Sequence, residues 1–192
     1  MRKKVKEINY QTLSEITNLI SSAKDMTKTA KQLTQKLAEV LDVKGCALML
    51  LNRRSKELEV AASYGLSRFY LTKGPLSAAK SIAASLTEGP VAIYNVRDDP
   101  RLQYPDEANR EGIESLVSVP LVLRGKPLGV LRLYSAVPWE VTHPQLTFMQ
   151  AIATVIALVL DNIRMANAYK TSIEVLKVLR PVIRPMKRTL NE

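Results

Sequence analysis

The sequence predicts an α+β fold, and three features of its hydrophobic pattern carry that prediction. Apolar residues recur at helical spacing from Ile8 to Leu41, short apolar runs bounded by turn signals fill the middle, and a long apolar stripe follows Pro144. Helices are therefore expected at both ends, with a mostly antiparallel sheet between them.

The first helix is expected over residues 8–22, where Ile8, Leu13, Ile16, Leu19 and Ile20 fall largely on one side. A second is expected from Met26 to Leu41, capped by Asp25, with Ala30, Leu33, Leu37, Ala38 and Leu41 as its apolar stripe. Gly45 opens CALMLLN, and NRRSKE turns the chain into LEVAASYG, which reads as a pair of short strands. From Gly65 to Gly74 the pattern loses its period, so a loop is expected, although Phe69 and Tyr70 are apolar enough to pack. SAAKSIAASL combines strong helix formers with Ile82 and Leu86 on one face, which predicts a helix from Leu76 to Leu86 ended by Gly89-Pro90.

VAIYNV reads as a short strand. SLVSVPLVL and PLGVLRLYSA, separated by Arg124-Gly125-Lys126, form the clearest hairpin in the chain. Pro120 has no amide to donate, so it belongs at a bulge or where that side of the strand needs no partner. Thr142 and Gln145 mark a capping box, with Pro144 in the first turn. Phe148, Ile152, Val155, Ile156, Val159, Ile163 and Ala166 then form a helical stripe that Ile173, Leu176 and Leu179 prolong, until Pro181 and Pro185 oppose continuation.

At 192 residues, 46% apolar and 24% charged, the chain has the material of one soluble domain with flanking elements. Its formal charge of +10 invites a nucleic-acid partner, but residues 7–160 carry 17 basic and 15 acidic side chains, so the excess sits at the ends. No helix-turn-helix, zinc finger or RNA-binding aromatic motif accompanies those ends, and nucleic acid is the weakest of the partner expectations. Cys46 is the single cysteine, which excludes an internal disulfide or a CxxC pair. MRKKVKEINY lacks the apolar region of a secretory signal, and the run from Ala151 meets Asp161 too soon for a membrane span, so no membrane insertion and a cytoplasmic location are expected.

ALMLLNRRSKELEVAASYGL from Ala47, NVRDDPR from Asn95, GIESLVSVPLVLRGKPLGVLRLYS from Gly112 and ALVLDNIRMANAY from Ala157 together resemble a GAF domain, a small-molecule sensor fold of bacterial signalling proteins. The resemblance covers about residues 8–170, within a single domain of residues 1–170 followed by a helix extension and basic tail over 171–192. It implies a central antiparallel sheet with the terminal helices on one face and a pocket on the other. That pocket would be roofed by Tyr64 to Leu86 and by Asn95 to Gly112.

The second roof segment, NVRDDPRLQYPDEANREGI, crowds Asp98, Asp99, Asp106, Glu107 and Glu111 among Arg97, Arg101 and Arg110. The carboxylates do not follow EF-hand spacing and have arginines beside them, so charge pairing outweighs metal binding. Asp106 to Arg110 reads as one helical turn ended near Gly112. His143, the only histidine, lies beside a helix cap, and Ser63, Ser118 and Ser135 lack the signature of an activated nucleophile. No enzyme activity is expected. Cys46 alone does not supply the cysteine set of family members that reduce free methionine sulfoxide, and no cysteine lies in the helical roof region where bilin-bearing relatives attach their chromophore. The asparagine-lysine, phenylalanine and aspartate-glutamate motif of cyclic-nucleotide-binding relatives is incomplete at Asn95-Val96 and Asp106-Glu107.

Alternation along the last strand puts Val130, Arg132 and Tyr134 on one face and Gly129, Leu131 and Leu133 on the other. Arg132 is then a charge in an apolar strand. It holds an anionic ligand group together with Tyr134, is neutralised by a carboxylate from the Asn95–Gly112 connection, or is simply exposed. Arg97, Asp98, Tyr94, Ser118 and Tyr64 are the expected neighbours of that site. No cofactor is required, and the noncovalent ligand has no identity in the sequence. The leading expectation is a regulatory sensor that signals through its terminal helices to a partner or within a homodimer. A protein-interaction domain with a vestigial pocket and a nucleic-acid-associated regulator are the alternatives.

Overall fold

The structure, a computed structural model, describes residues 10–22, 26–77 and 89–179. Residues 1–9 and 180–192 at the basic ends, the Asp25 cap and residues 78–86 of the third expected helix lie outside the described residues.

Two helices come first, α1 (Tyr10–Ser21) and α2 (Met26–Val40). The periodicity that predicted them is the periodicity of their burial: Ile16 and Ile20 of α1 and Ala30, Leu33, Leu37 and Ala38 of α2 are withdrawn from solvent. Lys36 bridges to Glu15 at 2.8 Å across the pair. Both side chains are well exposed, so apolar burial rather than this ion pair holds the helices.

Six strands then build one antiparallel sheet in the order β3-β2-β1-β6-β5-β4. They are β1 (Gly45–Leu51), β2 (Glu57–Tyr64), β3 (Leu76–Ser77), β4 (Val91–Ile93), β5 (Ser115–Leu123) and β6 (Lys126–Ser135). The β5–β6 hairpin turns at Arg124 and Gly125, both with positive φ of 51° and 72°, which is the backbone twist that a two-residue hairpin loop needs. Pro120 pairs with Val130 on one side only, because β4 pairs β5 no further than Ser118, and a bulge follows between Leu121 and Val122. The proline therefore sits where its missing donor costs the sheet little.

Two short elements correct the sequence reading, and a third agrees with it. Leu76 and Ser77, expected to start a helix, instead pair with Leu58 and Glu57 as an edge strand. Within the expected loop, Arg68–Leu71 forms a helical turn, α3, because the Ser67 hydroxyl accepts the Tyr70 amide and caps it. Its Tyr70 is buried while Phe69 is exposed. Pro105–Arg110 forms the expected helical turn, α4, with proline at its start.

The last helix, α5 (His143–Leu179), begins as the capping box predicts, with the Thr142 amide donating to the Gln145 side chain at 2.9 Å. Phe148, Met149, Ile152, Ala153, Ile156 and Ala157 form its buried stripe. The ten-residue run read from Ala151 understated this helix: over His143–Val178 it is long and apolar enough, by length and composition, to cross a membrane, with 33% of its most apolar window buried inside the protein. The boundary between two compact units of the chain falls after Leu158, within α5.

The pairing register assigns the two faces of the sheet. Cys46, Leu48, Val117, Val119, Leu131 and Leu133 are buried on one face, against which α2 packs through β1 and β2. Ala47, Met49, Leu116, Val130 and Tyr134 are buried on the other, under α3, α4 and their connections. Gly129 is indispensable to the central pairing, because a Cβ there would lie 2.1 Å from the Met49 carbonyl oxygen of β1. Gly129→Ala is expected to cost roughly 3 kcal/mol of unfolding free energy by chemical denaturation, far more than the same change at Gly125, where an added Cβ meets nothing within 4 Å but must hold a positive φ.

Candidate functional site

The site grows from one row of side chains across the sheet. Val91 pairs with Ser118, Ser118 with Arg132, Arg132 with Ala47 and Ala47 with Ser63, so all five share a face. The next row along contains Ile93, Leu116, Tyr134 and Gly45. Small residues beside Arg132 and Tyr134, alanine in one row and glycine in the other, leave the two large polar side chains room over β1.

Arg132 is 6% exposed, and among the described residues its side chain has one long hydrogen bond, Nε to the Ser118 hydroxyl at 3.4 Å. No carboxylate pairs with it among the described residues. Tyr134 is fully buried, and among the described residues its hydroxyl makes no hydrogen bond of good geometry, although Arg132 and Tyr70 stand close enough to interact with it. Burial pushes the Tyr134 phenol above its ordinary range, against the opposing pull of the Arg132 charge. Tyr70 meets the Tyr134 ring edge to face at 5.7 Å, and burial together with Tyr134 raises its ionisation too.

Three ties hold the roof segments together. Ser67 donates its backbone amide at 2.7 Å, and its hydroxyl, to the Glu111 carboxylate, which joins the start of α3 to the end of α4. Tyr104 donates its hydroxyl to the Pro75 carbonyl at 2.8 Å. Lys73 donates to the Tyr70 carbonyl at 2.8 Å and places its ammonium 3.6 Å from the centre of the Tyr70 ring. Burial, then the Arg132 charge, brings Lys73 down from 10.5 to about 8.

The structure brings together three of the residues expected at the site, Arg132, Tyr134 and Ser118. It places the other four elsewhere. Arg97 is exposed and pairs with Glu114 at 3.1 Å, and Asp98 is exposed and accepts from the Asn95 side chain at 2.6 Å. Tyr94 follows Ile93 out of the sheet and is 53% exposed. Tyr64 pairs with Cys46, which pairs with Leu133, so alternation puts it on the face opposite Arg132.

Three of the carboxylates expected near Arg132, Asp98, Asp99 and Glu111, are engaged within the roof itself. Asp99 accepts from the Arg101 amide at 2.9 Å and its Nε at 2.8 Å, and these contacts hold its carboxyl below the usual range. Among the described residues no group of three or more His, Cys, Asp or Glu is placed to hold a metal ion. A surface groove of about 520 Å³ runs along Pro100–Tyr104, with Arg101 already committed to Asp99 and to the Ala92 carbonyl.

Sequence reasoning missed Lys73, Ser67 and Glu111. The signal lay in Ser67-Arg68-Phe69-Tyr70, a cap followed by a residue large enough to anchor the turn, but nothing local pairs Ser67 with Glu111.

A sequence profile described as GAF domain matches residues 25–160. The Nif-specific regulatory protein of Herbaspirillum seropedicae is 26% identical over 125 residues, 62% of this chain, and the match spans only 23% of that relative's length. Among solved structures, the GAF domain of a phosphoenolpyruvate-protein phosphotransferase from Coxiella burnetii superposes with a TM-score of 0.73 at 19% identity, covering 82% of this chain and 95% of that one. The corresponding domain from Acinetobacter gives 0.70 at 22% identity, covering 83% and 97%. Likenesses at this identity establish the fold.

Cys46 lies on the helix-facing side of the sheet, fully buried, and burial pushes its thiol far up. It is expected to stay unreactive towards a thiol-specific disulfide reagent in the native protein and to react at once on denaturation. Rapid labelling of the folded chain would show that this face opens.

Proposed function

The chain belongs to the GAF domain family, and from that premise we propose that it is a non-catalytic regulatory domain that binds a small anionic molecule against Arg132 and signals occupancy through its terminal helices. Family membership supports the general regulatory role, and the relatives named above support a place in bacterial regulation. The observation that carries the finer reading is Arg132 itself, a guanidinium nine-tenths buried in an apolar face, with a long bond to one hydroxyl and no carboxylate partner among the described residues.

A buried charge without a counter-ion costs the fold several kcal/mol, roughly. That cost is retained in a strand where Leu or Val would pack well. The Tyr134 hydroxyl, which has no well-formed hydrogen bond among the described residues, adds a second donor beside it. A carboxylate or phosphate oxygen set between them would satisfy both groups at once.

Strand β6 supports the coupling. Arg132 and Tyr134 face the site while Leu131 and Leu133, their immediate neighbours, are buried on the face that carries the helices. A ligand that shifts β6 therefore acts on both layers through one backbone. The ligand need only prefer one arrangement over another to shift their populations.

Replacing Arg132 tests the reading. Arg132→Met is expected to raise the thermal midpoint of the unliganded protein by an amount equivalent to roughly 1–4 kcal/mol, and to abolish any small molecule retained in native mass spectrometry of the intact chain. If the substitution destabilises the protein as an ordinary core change does, the charge is already compensated and the anion reading fails.

A specific observation also favours self-association. Leu158 and Met165 stand one heptad apart on α5, as do Tyr169 and Leu176, and all four are between 41% and 69% exposed. A second copy of the chain would cover this seam. Met165→Lys with Tyr169→Lys is expected to convert a dimer to a monomer in sedimentation velocity. A wild-type chain that sediments as a monomer at micromolar concentration would rule the dimer out.

A further inference from the structure

We propose that Lys73 is the second cationic pole of the Arg132 site, so that the molecule bound there is a compact dianion, a dicarboxylate or a phosphate, bridging the two side chains. This rests on the reading of Arg132 as an anion receptor and narrows it to one class of ligand.

Lys73 follows α3 at the point where the chain doubles back towards β3. Gly74 makes that turn at a φ of 135°, and a Cβ there would meet the Tyr104 hydroxyl at 2.7 Å. The backbone is thereby held against Tyr104, and the Lys73 ammonium is drawn inward over Tyr70, 5.9 Å from the Tyr104 ring. From there the contacts run unbroken to the floor: Lys73 on Tyr70, Tyr70 edge to face with Tyr134, and Tyr134 one alternation along β6 from Arg132.

The two cations feel each other, since the Arg132 charge disfavours the ammonium of Lys73. The groups facing Lys73 from the surrounding elements are few. Glu107 and Glu111 of α4 favour its charged form from a distance, but neither forms an ion pair with it among the described residues, and Glu111 is taken by Ser67. Among the described residues the ammonium also lies over the phenol rings of Tyr70 and Tyr104, and burial keeps Tyr70, and Tyr134 beyond it, neutral. Among the described residues neither of these two like charges has a carboxylate in ion-pair contact. A monoanion relieves one of them, and a dianion relieves both.

The placement gives two pH dependences of opposite sign. Folding disfavours the Lys73 ammonium, so the unliganded protein carries that penalty below about 8 and sheds it as pH rises from there to 10.5. A bound dianion favours the ammonium, so its affinity is full below about 8 and falls above it.

The test follows the Lys73 side chain directly, by ¹³C NMR titration of the lysine Cε signals in the full chain, assigned with Lys73→Gln. Inorganic phosphate and succinate serve as the dianion probes, and acetate at matched ionic strength as the monoanion control. Either dianion is expected to raise the Lys73 midpoint by about one unit or more and to raise the thermal midpoint near neutral pH. Both effects should vanish in Lys73→Gln, and the larger response should tell phosphate from dicarboxylate.

If a dianion perturbs Ser118 and Tyr134 but leaves the Lys73 midpoint where it was, Lys73 is no part of the site and the Arg132 reading stands alone. Should neither probe perturb Ser118, Tyr134 or Lys73, both proposals are overturned.

Discussion

The antiparallel pairing of β1 with β6 is the constraint on which the rest of the structure depends. These strands lie at the centre of the sheet and join its two halves, β1 to the β2–β3 side and β6 to the β5–β4 side. Their register sets Ala47 opposite Arg132 and Gly45 opposite Tyr134, and Gly129 lets the Met49 carbonyl approach to a distance no side chain would tolerate. A slip of one residue would turn Arg132 into the helix-facing core and Leu131 and Leu133 out beneath the roof. Register is therefore what makes one face the helix-packed core and the other the floor beneath the roof segments.

The floor is mostly apolar, and the exceptions define its chemistry. Ala47, Met49, Leu116 and Val130 surround a guanidinium and a phenol that ordinary packing would exclude. Such groups are tolerated inside a fold when hydrogen bonds or counter-charges offset their desolvation, and the described protein supplies Arg132 with a single long bond. The roof is built for closure rather than for neutralisation. Its carboxylates serve Ser67, Arg101, Asn95 and Arg97, all within the roof or at its margin, and in this way its segments are tied to one another above the cations.

Much of this was legible in the pattern of residues. The stripe of Leu33 and Leu37, the hairpin around Arg124-Gly125, the box of Thr142 and Gln145, and the alternation that singles out Arg132 all express local rules, and local rules survive folding. The errors share a cause as well. Leu76-Ser77 was read with the helix formers that follow it, but an open edge of β2 offered it hydrogen bonds that no local pattern records. Arg97 and Asp98 were drawn towards Arg132 because opposite charges in one segment invite pairing. The turn at residues 96–98 instead directs them to Glu114 and Asn95 at the surface.

The sequence by itself determined the fold class, the family resemblance, most of the elements and the identity of the buried cation, because each follows from periodicity, capping or alternation over a few residues. Tertiary structure alone decided which residues meet. Ser67 meets Glu111, Lys73 lies over Tyr70, Tyr70 abuts Tyr134, and Tyr64 falls on the far side of the sheet. These outcomes depend on strand order and register between segments far apart in the chain, and pairings at that range leave no trace in the spacing of neighbouring residues.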